Sequence, residues 1–431
     1  MRAAIKSGAV ALFFGAALAC APMGSTSAAA DAPKKERKAS GALTESTYRQ
    51  LERVHTLIGK NENAEALEKC ESLLKRVRND YETAVVKQTM AFIYISQNNY
   101  KAAIKAFEEA LALDALPQQP YEQMLYNVGQ LYFQDGQTDM TIKRMERYFS
   151  ETMSEPPADA HILLASAYAE KNRFKDSLTQ VDKAIAKSKE PKESWLQLKL
   201  ALHYELKQFP QCADVLLKLI SLVPAKEDYW KQLSSILFEI KRDKESLAVL
   251  ALADRLGYLD QENEVRNLAN IYLLLEIPYK AATVLDGGIE RNILPANEKT
   301  LTLLGDSWMM AREYGKAETV LQRAAKISES GEIYYRLGQI YVEDERWTDA
   351  LPALDKARAK GIKKVADATY LQGIAAFHTG NRKLAVELLR KAKDSDETRN
   401  SATQWLNHIA QVEDEEARES LAAADDEEAT P

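Results

Sequence analysis

The chain has 431 residues, of which 46% are hydrophobic and 28% are charged, and its formal net charge is -7 at pH 7. An acidic chain without a dense basic stripe lacks the phosphate contacts that nucleic-acid binding requires. We therefore exclude nucleic-acid binding as a class of function.

The N-terminus has the form of a bacterial export signal, which we assign to residues 1–30. Arg2 and Lys6 precede an apolar run over residues 9–19. That run is too short to be a stable membrane span, and its basic start and small-residue end are typical of a signal peptide.

Two processing routes remain open for this signal. The small residues Ala28 and Ala30 favour cleavage after Ala30, which releases the chain into the periplasm. Residues 17–20, reading ALAC, resemble a lipoprotein signal, and Cys20 would then carry a lipid anchor. We predict an exported, periplasmic protein with no transmembrane span after signal removal, attached to a membrane if Cys20 is lipidated.

Two other segments are too polar to bury a core of their own. Residues 31–46 are rich in Ala, Ser and Lys and include the basic run KKERK. Residues 413–431 are dominated by Asp, Glu and Ala. We predict a disordered linker over residues 31–46 and an acidic disordered tail over residues 413–431.

Between these segments, apolar and small residues recur with a spacing that is clearest over residues 334–357. The spacing predicts two helices joined by a polar turn at residues 344–346, each with one apolar stripe. The stripe of the first helix is Tyr334, Leu337, Gly338 and Tyr341, and that of the second helix is Ala350, Leu354 and Ala357. A Gly or Ala where two helices cross lets their backbones approach closely. The pattern therefore predicts helix packing rather than chemistry.

The same spacing recurs along the chain in steps of 33 to 38 residues after its first unit. The small residue of the second helix is found at Ala66, Ala103, Thr141, Ser177, Cys212, Ser246, Ala281, Ala317, Ala350 and Ala385. This pattern resembles the tetratricopeptide repeat (TPR), a helix-turn-helix unit of about 34 residues. The resemblance implies an all-α chain, a right-handed TPR superhelix (α-solenoid) of about ten repeats. We assign the solenoid to residues 47–395 and a C-terminal capping helix to residues 396–412.

No motif for catalysis, cofactor binding or metal binding is present in the sequence. It lacks a Gly-x-Ser-x-Gly elbow, a His-Glu-x-x-His helix and a Gly-rich phosphate loop. Its five histidines are scattered, and we predict no metal site. Cys70 and Cys212 lie where the repeat requires a buried residue, so we predict buried free thiols. We expect no enzymatic activity and no cofactor.

The TPR resemblance also implies which side chains face a binding groove, because the first helix of each unit lines the concave surface. These positions carry aromatic rings beside amide and guanidinium groups, which suit an extended peptide. For any single position, ordinary wettable repeat surface is the competing interpretation. The predicted partner-binding residues are Tyr126, Asn127, Gln130, Tyr204, Lys231, Arg266, Asn267, Asn270, Asp306, Tyr335, Arg336, Gln339 and Tyr370.

Among these residues, the most specific resemblance to a known binding motif is found at Arg266, Asn267 and Asn270. They resemble part of the carboxylate clamp by which some TPR domains hold a peptide C-terminus. Leu303 and Glu332 stand where that clamp has Asn and Lys. We therefore reject the full clamp and keep this cluster as a predicted polar contact point.

Compartment and architecture together predict a non-catalytic periplasmic scaffold for proteins or extended peptides. The layout resembles exported TPR proteins associated with TonB-ExbB-ExbD energy-transduction systems, which implies a TonB-complex component or an outer-membrane receptor as the partner. One alternative is a TPR lipoprotein or adaptor in outer-membrane protein, pilus or secretion assembly. Another is a regulator of a cell-wall or polysaccharide synthase.

Overall fold

A computed structural model describes residues 36–428 of the chain, with side chains described as far as residue 419. The predicted signal peptide, its cleavage site at Ala30 and the alternative lipid anchor at Cys20 lie outside the described residues. Over residues 36–428 the chain forms twenty-one α-helices and no strand. None of these described helices is both long and apolar enough to cross a bilayer.

Successive helices form ten pairs along the chain, followed by one final helix. The first helices of the pairs are α1 (Glu45–Gly59), α3 (Asp80–Ser96), α5 (Gln118–Gln134), α7 (Ala158–Glu170), α9 (Glu193–Glu205), α11 (Glu227–Glu239), α13 (Glu262–Leu274), α15 (Glu298–Met310), α17 (Gly331–Glu343) and α19 (Val365–His378). The second helices are α2 (Asn63–Leu74), α4 (Tyr100–Ala112), α6 (Thr138–Glu151), α8 (Phe174–Ala186), α10 (Phe209–Leu222), α12 (Asp243–Arg255), α14 (Pro278–Glu290), α16 (Tyr314–Ile327), α18 (Trp347–Lys360) and α20 (Arg382–Lys393). The final helix is α21 (Arg399–Glu428). The predicted all-α fold of helix-turn-helix repeats with a C-terminal helix is confirmed.

Each pair reverses direction at one residue in the left-handed backbone region. These residues are Asn61, Asn98, Gly136, Asn172, Lys207, Lys241, Glu276, Arg312, Glu345 and Gly380. Gly and Asn adopt positive φ at low cost, whereas a Lys, Glu or Arg in this conformation is strained. At the Lys, Glu and Arg positions, the geometry of the repeat therefore imposes the left-handed conformation against the residue's own preference.

The chain forms two compact units that divide within α11, between Ile236 and Leu237. Within each unit, the second helix of one pair packs against the first helix of the next pair, and first helices of neighbouring pairs also contact one another. The first helices therefore line one face of each unit, which we call its inner face. The apolar core is shared between neighbouring pairs, as expected for a repeat array.

Gly338 lies where α17 and α18 cross. A Cβ at this residue would lie 2.5 Å from Cδ2 of Leu354, and a Cβ at Gly305 would lie 2.6 Å from Cδ2 of Leu321. No side chain fits in these gaps without movement of the neighbour. The packing role predicted for the recurring small residues is thus visible at Gly338.

The C-terminus differs from the sequence prediction, which ended the capping helix at residue 412 and left a disordered tail. Helix α21 instead continues without interruption to Glu428. Ala402 and Ile409 are buried against the preceding repeat, and they anchor the start of the helix. Beyond them, Ala, Glu and Arg are strong helix formers, and extending an existing helix is far easier than starting one. Glu416 also pairs with Arg382 of α20.

The predicted linker also differs from expectation over the part that the structure describes. Helix α1 begins at Glu45, inside the assigned linker, with Thr44 as its N-cap. The Thr44 N–H donates to Oε1 of Glu82 at 2.8 Å, and the Ser40 N–H donates to the Ala115 carbonyl at 3.1 Å. Residues 36–44 are therefore docked against the first unit rather than unattached.

Cys70 and Cys212 are both buried free thiols, as predicted. Burial raises the pKa of the Cys70 thiol to about 12 and that of the Cys212 thiol to about 11. Since the thiolate is the reactive form, both cysteines are inert in the folded chain.

Candidate partner-binding groove

An open groove of about 530 Å³ lies on the inner face of the second unit. Its walls come from α15, α17 and the loop that joins α18 to α19. Four of the predicted partner-binding residues line it, namely Asp306, Tyr335, Arg336 and Gln339. The structure thus brings together residues from two successive repeats that sequence analysis named separately.

Arg336 is held by an ion pair across the groove floor. Its Nε lies 2.5 Å from Oδ1 of Asp306, and its Nη2 lies 3.1 Å from Oδ2 of the same carboxylate. Nη1 also donates to the carbonyl of Glu332, one turn earlier in α17, at 3.2 Å. Bidentate pairing of this kind fixes the guanidinium plane and offsets its charge. Arg336 is therefore a structural tie between α15 and α17 as well as a groove residue.

Tyr335 is almost completely buried at the groove wall, with only 5% of its surface exposed. Its hydroxyl donates to Asp367 of α19 and accepts a hydrogen bond of 3.0 Å from Nε2 of Gln339. Burial and the neighbouring Asp367 carboxylate raise the pKa of the phenol well above its ordinary value. Tyr335 thus stays protonated at neutral pH and orients the Gln339 amide.

Two lysines that the sequence analysis missed complete the groove. Lys363 and Lys364 are exposed, and neither ammonium has a partner among the residues that the structure describes. The Lys363 N–H donates to Oε1 of Glu332 at 2.8 Å, which fastens this loop to α17. The repeat pattern predicts groove residues only on first helices and makes no prediction for loop residues. The sequence feature that could have identified these groove residues is the pair of adjacent lysines directly before α19.

The Arg266 cluster lies on α13, on the inner face of the same unit. Nε of Arg266 donates to Glu262 at 2.8 Å, and Nη2 donates to Oγ1 of Thr300 in α15 at 2.6 Å. The side chain is 13% exposed, and its buried Nη1 has no hydrogen-bond partner among the described residues. Asn267 and Asn270 are exposed, with no partner in the described range. The two amides are therefore available to a ligand, whereas Arg266 chiefly links α13 to α15.

The remaining predicted residue of the second unit, Tyr370, lies on α19. It is half-buried and packs against the apolar cluster formed by α19, α20 and α21. It does not line the groove. Its position favours a packing role over a contact with a partner.

Three predicted residues of the first unit lie on α5 and are largely covered. Tyr126 packs against Tyr148 with ring centroids 5.6 Å apart, and burial raises its pKa to about 12. Asn127 is buried and accepts a 2.9 Å hydrogen bond from Nε2 of Gln123. Gln130 is half-buried. This part of α5 offers little free polar surface.

The last two predicted residues, also in the first unit, have local contacts. Tyr204 is exposed at the end of α9, and its ring meets Phe209 edge-on with centroids 5.8 Å apart. Nζ of Lys231 in α11 lies 3.7 Å from a carboxylate oxygen of Glu227. Neither residue belongs to the groove of the second unit.

Among the side chains of residues 36–419, no group of three or more His, Cys, Asp or Glu is placed to hold a metal ion. The groove itself offers amide, carboxylate, guanidinium and ammonium groups, which suit non-covalent recognition.

Two family profiles match the sequence, and both are described as tetratricopeptide repeat. They cover residues 86–115 and residues 335–400. The chain contains tetratricopeptide repeats. The second match includes Tyr335, Arg336 and Gln339, so these groove residues lie on the first helix of a TPR. No curated protein sequence matches the chain.

Solved structures resemble the chain only at low TM-scores. YrrB, described as a TPR protein with an unusual peptide-binding site, is 19% identical over 45% of this chain and 99% of its own, with a TM-score of 0.36. A TPR protein from Parabacteroides merdae ATCC 43184 is 13% identical over 69% and 99%, with a TM-score of 0.37. MamA from Desulfovibrio magneticus RS-1 is 15% identical over 43% and 99%, with a TM-score of 0.35. At these TM-scores the likeness carries no argument about what the present chain binds.

Proposed function

We propose that the chain is a non-catalytic TPR scaffold that binds an extended segment of another protein in the groove of the second unit. The observation that carries this proposal is the convergence in one open groove of Asp306, Arg336 and Gln339 with two lysines whose ammoniums have no partner in the described part of the chain. A protein segment is the ligand class that such a surface fits.

The shape of the groove favours a chain over a small molecule. Small-molecule sites are enclosed and mostly apolar, so that they cover most of their ligand. This groove is open, and its exposed groups are polar. An extended peptide offers main-chain donors and acceptors at regular intervals, which the Gln339 amide and the Glu332 carboxylate can bond.

Three carboxylates and three cations line the groove, and two of the cations, Lys363 and Lys364, lie together at the loop. At that end the groove favours an acidic side chain of the segment. Arg336 is already paired with Asp306, so its charge is largely offset. The positive charge at the loop comes from Lys363 and Lys364. Because both ammoniums are exposed, their attraction for a carboxylate should weaken as salt rises.

Affinity capture from native cell-envelope extract tests this proposal. Full-length chain, a Lys363→Ala/Lys364→Ala variant and a control variant are immobilised, and retained proteins are quantified by mass spectrometry. The control is Lys326→Ala/Lys383→Ala, which removes two exposed lysines from second helices. We expect one partner to fall about tenfold on the groove variant, equivalent to about 1.4 kcal/mol, and to stay unchanged on the control. Equal retention on all three would remove the groove as the binding site.

The compartment is a further part of the proposal and is supported by the sequence. The export signal over residues 1–30 favours release into the periplasm, with lipidation at Cys20 as the alternative. The mass of the mature protein distinguishes a chain that begins at Asp31 from one that begins at an acylated Cys20. A mass that includes residues 1–19 would contradict export by either route.

Within that compartment we propose a component of a TonB-type complex, or an outer-membrane receptor that it serves, as the partner. The support is the layout of the sequence, with its export signal, about ten repeats and polar C-terminus. Recovery of TonB, ExbD or such a receptor in the capture experiment would support this role. Recovery of pilus, secretion or outer-membrane assembly proteins, or of a polysaccharide synthase, would assign the scaffold to one of those systems instead.

A further inference from the structure

A second polar site lies in the first unit, where residues 36–43 cross the start of α5. The guanidinium carbon of Arg37 lies 3.8 Å from the centroid of the Tyr121 ring, and the same guanidinium pairs with Asp114. The Arg37 N–H donates to Oε1 of Gln118 at 3.3 Å, and the Gln118 N–H donates to the Arg37 carbonyl at 3.1 Å. Both the side chain and the main chain of a single residue are therefore recognised.

The walls of this site are held by bonds that do not involve Arg37. The Tyr121 hydroxyl donates to Glu151. Nε2 of Gln118 donates to Oε1 of Glu122 at 2.6 Å and to the carbonyl of Glu151 at 2.9 Å. The ring and the amide thus stay in position whether or not an arginine is present.

The segment that occupies the site has fewer anchors, namely the main-chain hydrogen bonds of Arg37, the Ser40 N–H bond to the Ala115 carbonyl and one ion pair. Glu36 and residues 38–42 are exposed, whereas the Arg37 side chain is 24% exposed. The Asp114 side chain is 72% exposed, so solvent and salt screen its ion pair with Arg37. A preformed site with a loosely held occupant is suited to exchange of that occupant.

We propose that Asp114, Gln118 and Tyr121 form a recognition site for an arginine within an extended basic segment, which Arg37 fills as an intramolecular ligand. A planar guanidinium can stack on the tyrosine ring and pair with a carboxylate at the same time. A lysine ammonium cannot reproduce that stacked geometry. An arginine-bearing segment of another protein therefore competes with Arg37 for this site.

Binding of a labelled peptide in trans tests the competition. The peptide carries residues 33–42 (PKKERKASGA), and fluorescence anisotropy measures its affinity for full-length chain, for Arg37→Ala and for the control Lys38→Ala. We expect Arg37→Ala to bind the peptide at least about tenfold more tightly than the other two, because only this variant has lost the intramolecular competitor. A peptide whose arginine is replaced by lysine should bind more weakly. Equal affinity of Arg37→Ala and full-length chain would overturn the proposal.

Hydrogen exchange at the Gln118 amide gives an independent measure. Gln118 is the first residue of α5, so its N–H has no acceptor within the helix and is protected by the Arg37 carbonyl. Arg37→Ala keeps the main-chain carbonyl but removes the side-chain contacts that hold the segment there, so we expect faster exchange at Gln118 and recovery of protection when the peptide is added. Adding Asp114→Ala to this variant should abolish the recovery. Exchange that is unchanged by Arg37→Ala would show that the site does not depend on arginine.

Discussion

Arg336 and Asp306 form a bidentate ion pair that joins α17 to α15 beneath the groove of the second unit, with N–O distances of 2.5 and 3.1 Å. Both residues were predicted as partner contacts, yet each already has the other as its partner. A ligand must therefore bind beside this pair or compete with it.

The first prediction concerns Asp306→Ala. Removing the carboxylate frees the Arg336 guanidinium to pair with an acidic side chain of the bound segment. We expect the affinity for the captured partner to rise about twofold to fivefold, a gain of the size of one exposed charge pair. Isothermal titration with the partner segment measures the change. Weaker binding would mean that Asp306 itself contacts the partner.

The second prediction concerns the helix crossing at Gly338. Gly338→Ala places a methyl group against Leu354 and should lower the free energy of unfolding of the second unit by about 1–3 kcal/mol. Gly315→Ala is the matched control, because a Cβ there meets no atom within 4 Å. The control should be neutral or stabilising by up to about 1 kcal/mol. Urea unfolding measures both, and equal effects would contradict the packing argument.

The third prediction concerns the strained turn at Arg312, whose φ is +58°. Arg312→Gly relieves the left-handed strain, which should raise the free energy of unfolding by about 1–2 kcal/mol. The greater backbone entropy of glycine in the unfolded chain lowers it again by about 0.5–1 kcal/mol. We expect a net stabilisation of about 0.5–1 kcal/mol in thermal or urea unfolding. Arg323→Gly, an exposed position within α16, should instead destabilise by about 1 kcal/mol. A loss of stability in both variants would count against strain at the turn.

The fourth prediction concerns pH and Glu122 in the first unit. Burial by itself raises the pKa of this carboxyl, but hydrogen bonds from the Met153 N–H, Ser154 and Gln118 outweigh it and hold the pKa below its ordinary value. The carboxylate therefore contributes stability at pH values above about 4.3, its unfolded pKa, and that contribution is lost as pH falls through the lower folded pKa.

Urea unfolding of Glu122→Gln and wild type between pH 7 and pH 3 tests this linkage. At pH 7 we expect the variant to be less stable by about 1–3 kcal/mol, the range for losing hydrogen bonds to a charged group. The difference should shrink below about pH 4.3 as the wild-type carboxylate becomes protonated. A difference that stays constant with pH would show that the charge of Glu122 is not what matters.

The repeat architecture was predictable because helix packing requires small and apolar residues at regular spacing along the sequence. The pairing of Gly338 with Leu354 follows from the need of two helices to approach closely, and the same requirement returns in each unit. The number of repeats and the position of the turn near residues 344–346 follow from the same period. These features depend on contacts between residues that are close in sequence, so the spacing of residue types is enough to predict them.

The details of the groove depend on contacts between repeats, which spacing alone does not reveal. The register places Tyr335 and Arg336 on the inner face, but it does not show that Tyr335 is covered by Asp367 or that Arg336 is paired with Asp306. Loop residues such as Lys363 have no fixed place in the repeat pattern. Composition likewise pointed to a disordered acidic tail, whereas α21 extends because its first turns are packed.

Site-specific photo-crosslinking in the native envelope tests the central claim most directly. Photoreactive residues are placed singly at Asn270, Thr302 and Gln339, on successive first helices, and at Arg323 on a second helix as the control. Tyr335 is too buried to report on a ligand. The scaffold account predicts that the three inner-face probes capture one partner, at sites that follow one another along a single segment, while Arg323 captures none of it. Capture from Arg323 alone, or inner-face crosslinks scattered over unrelated proteins, would contradict it.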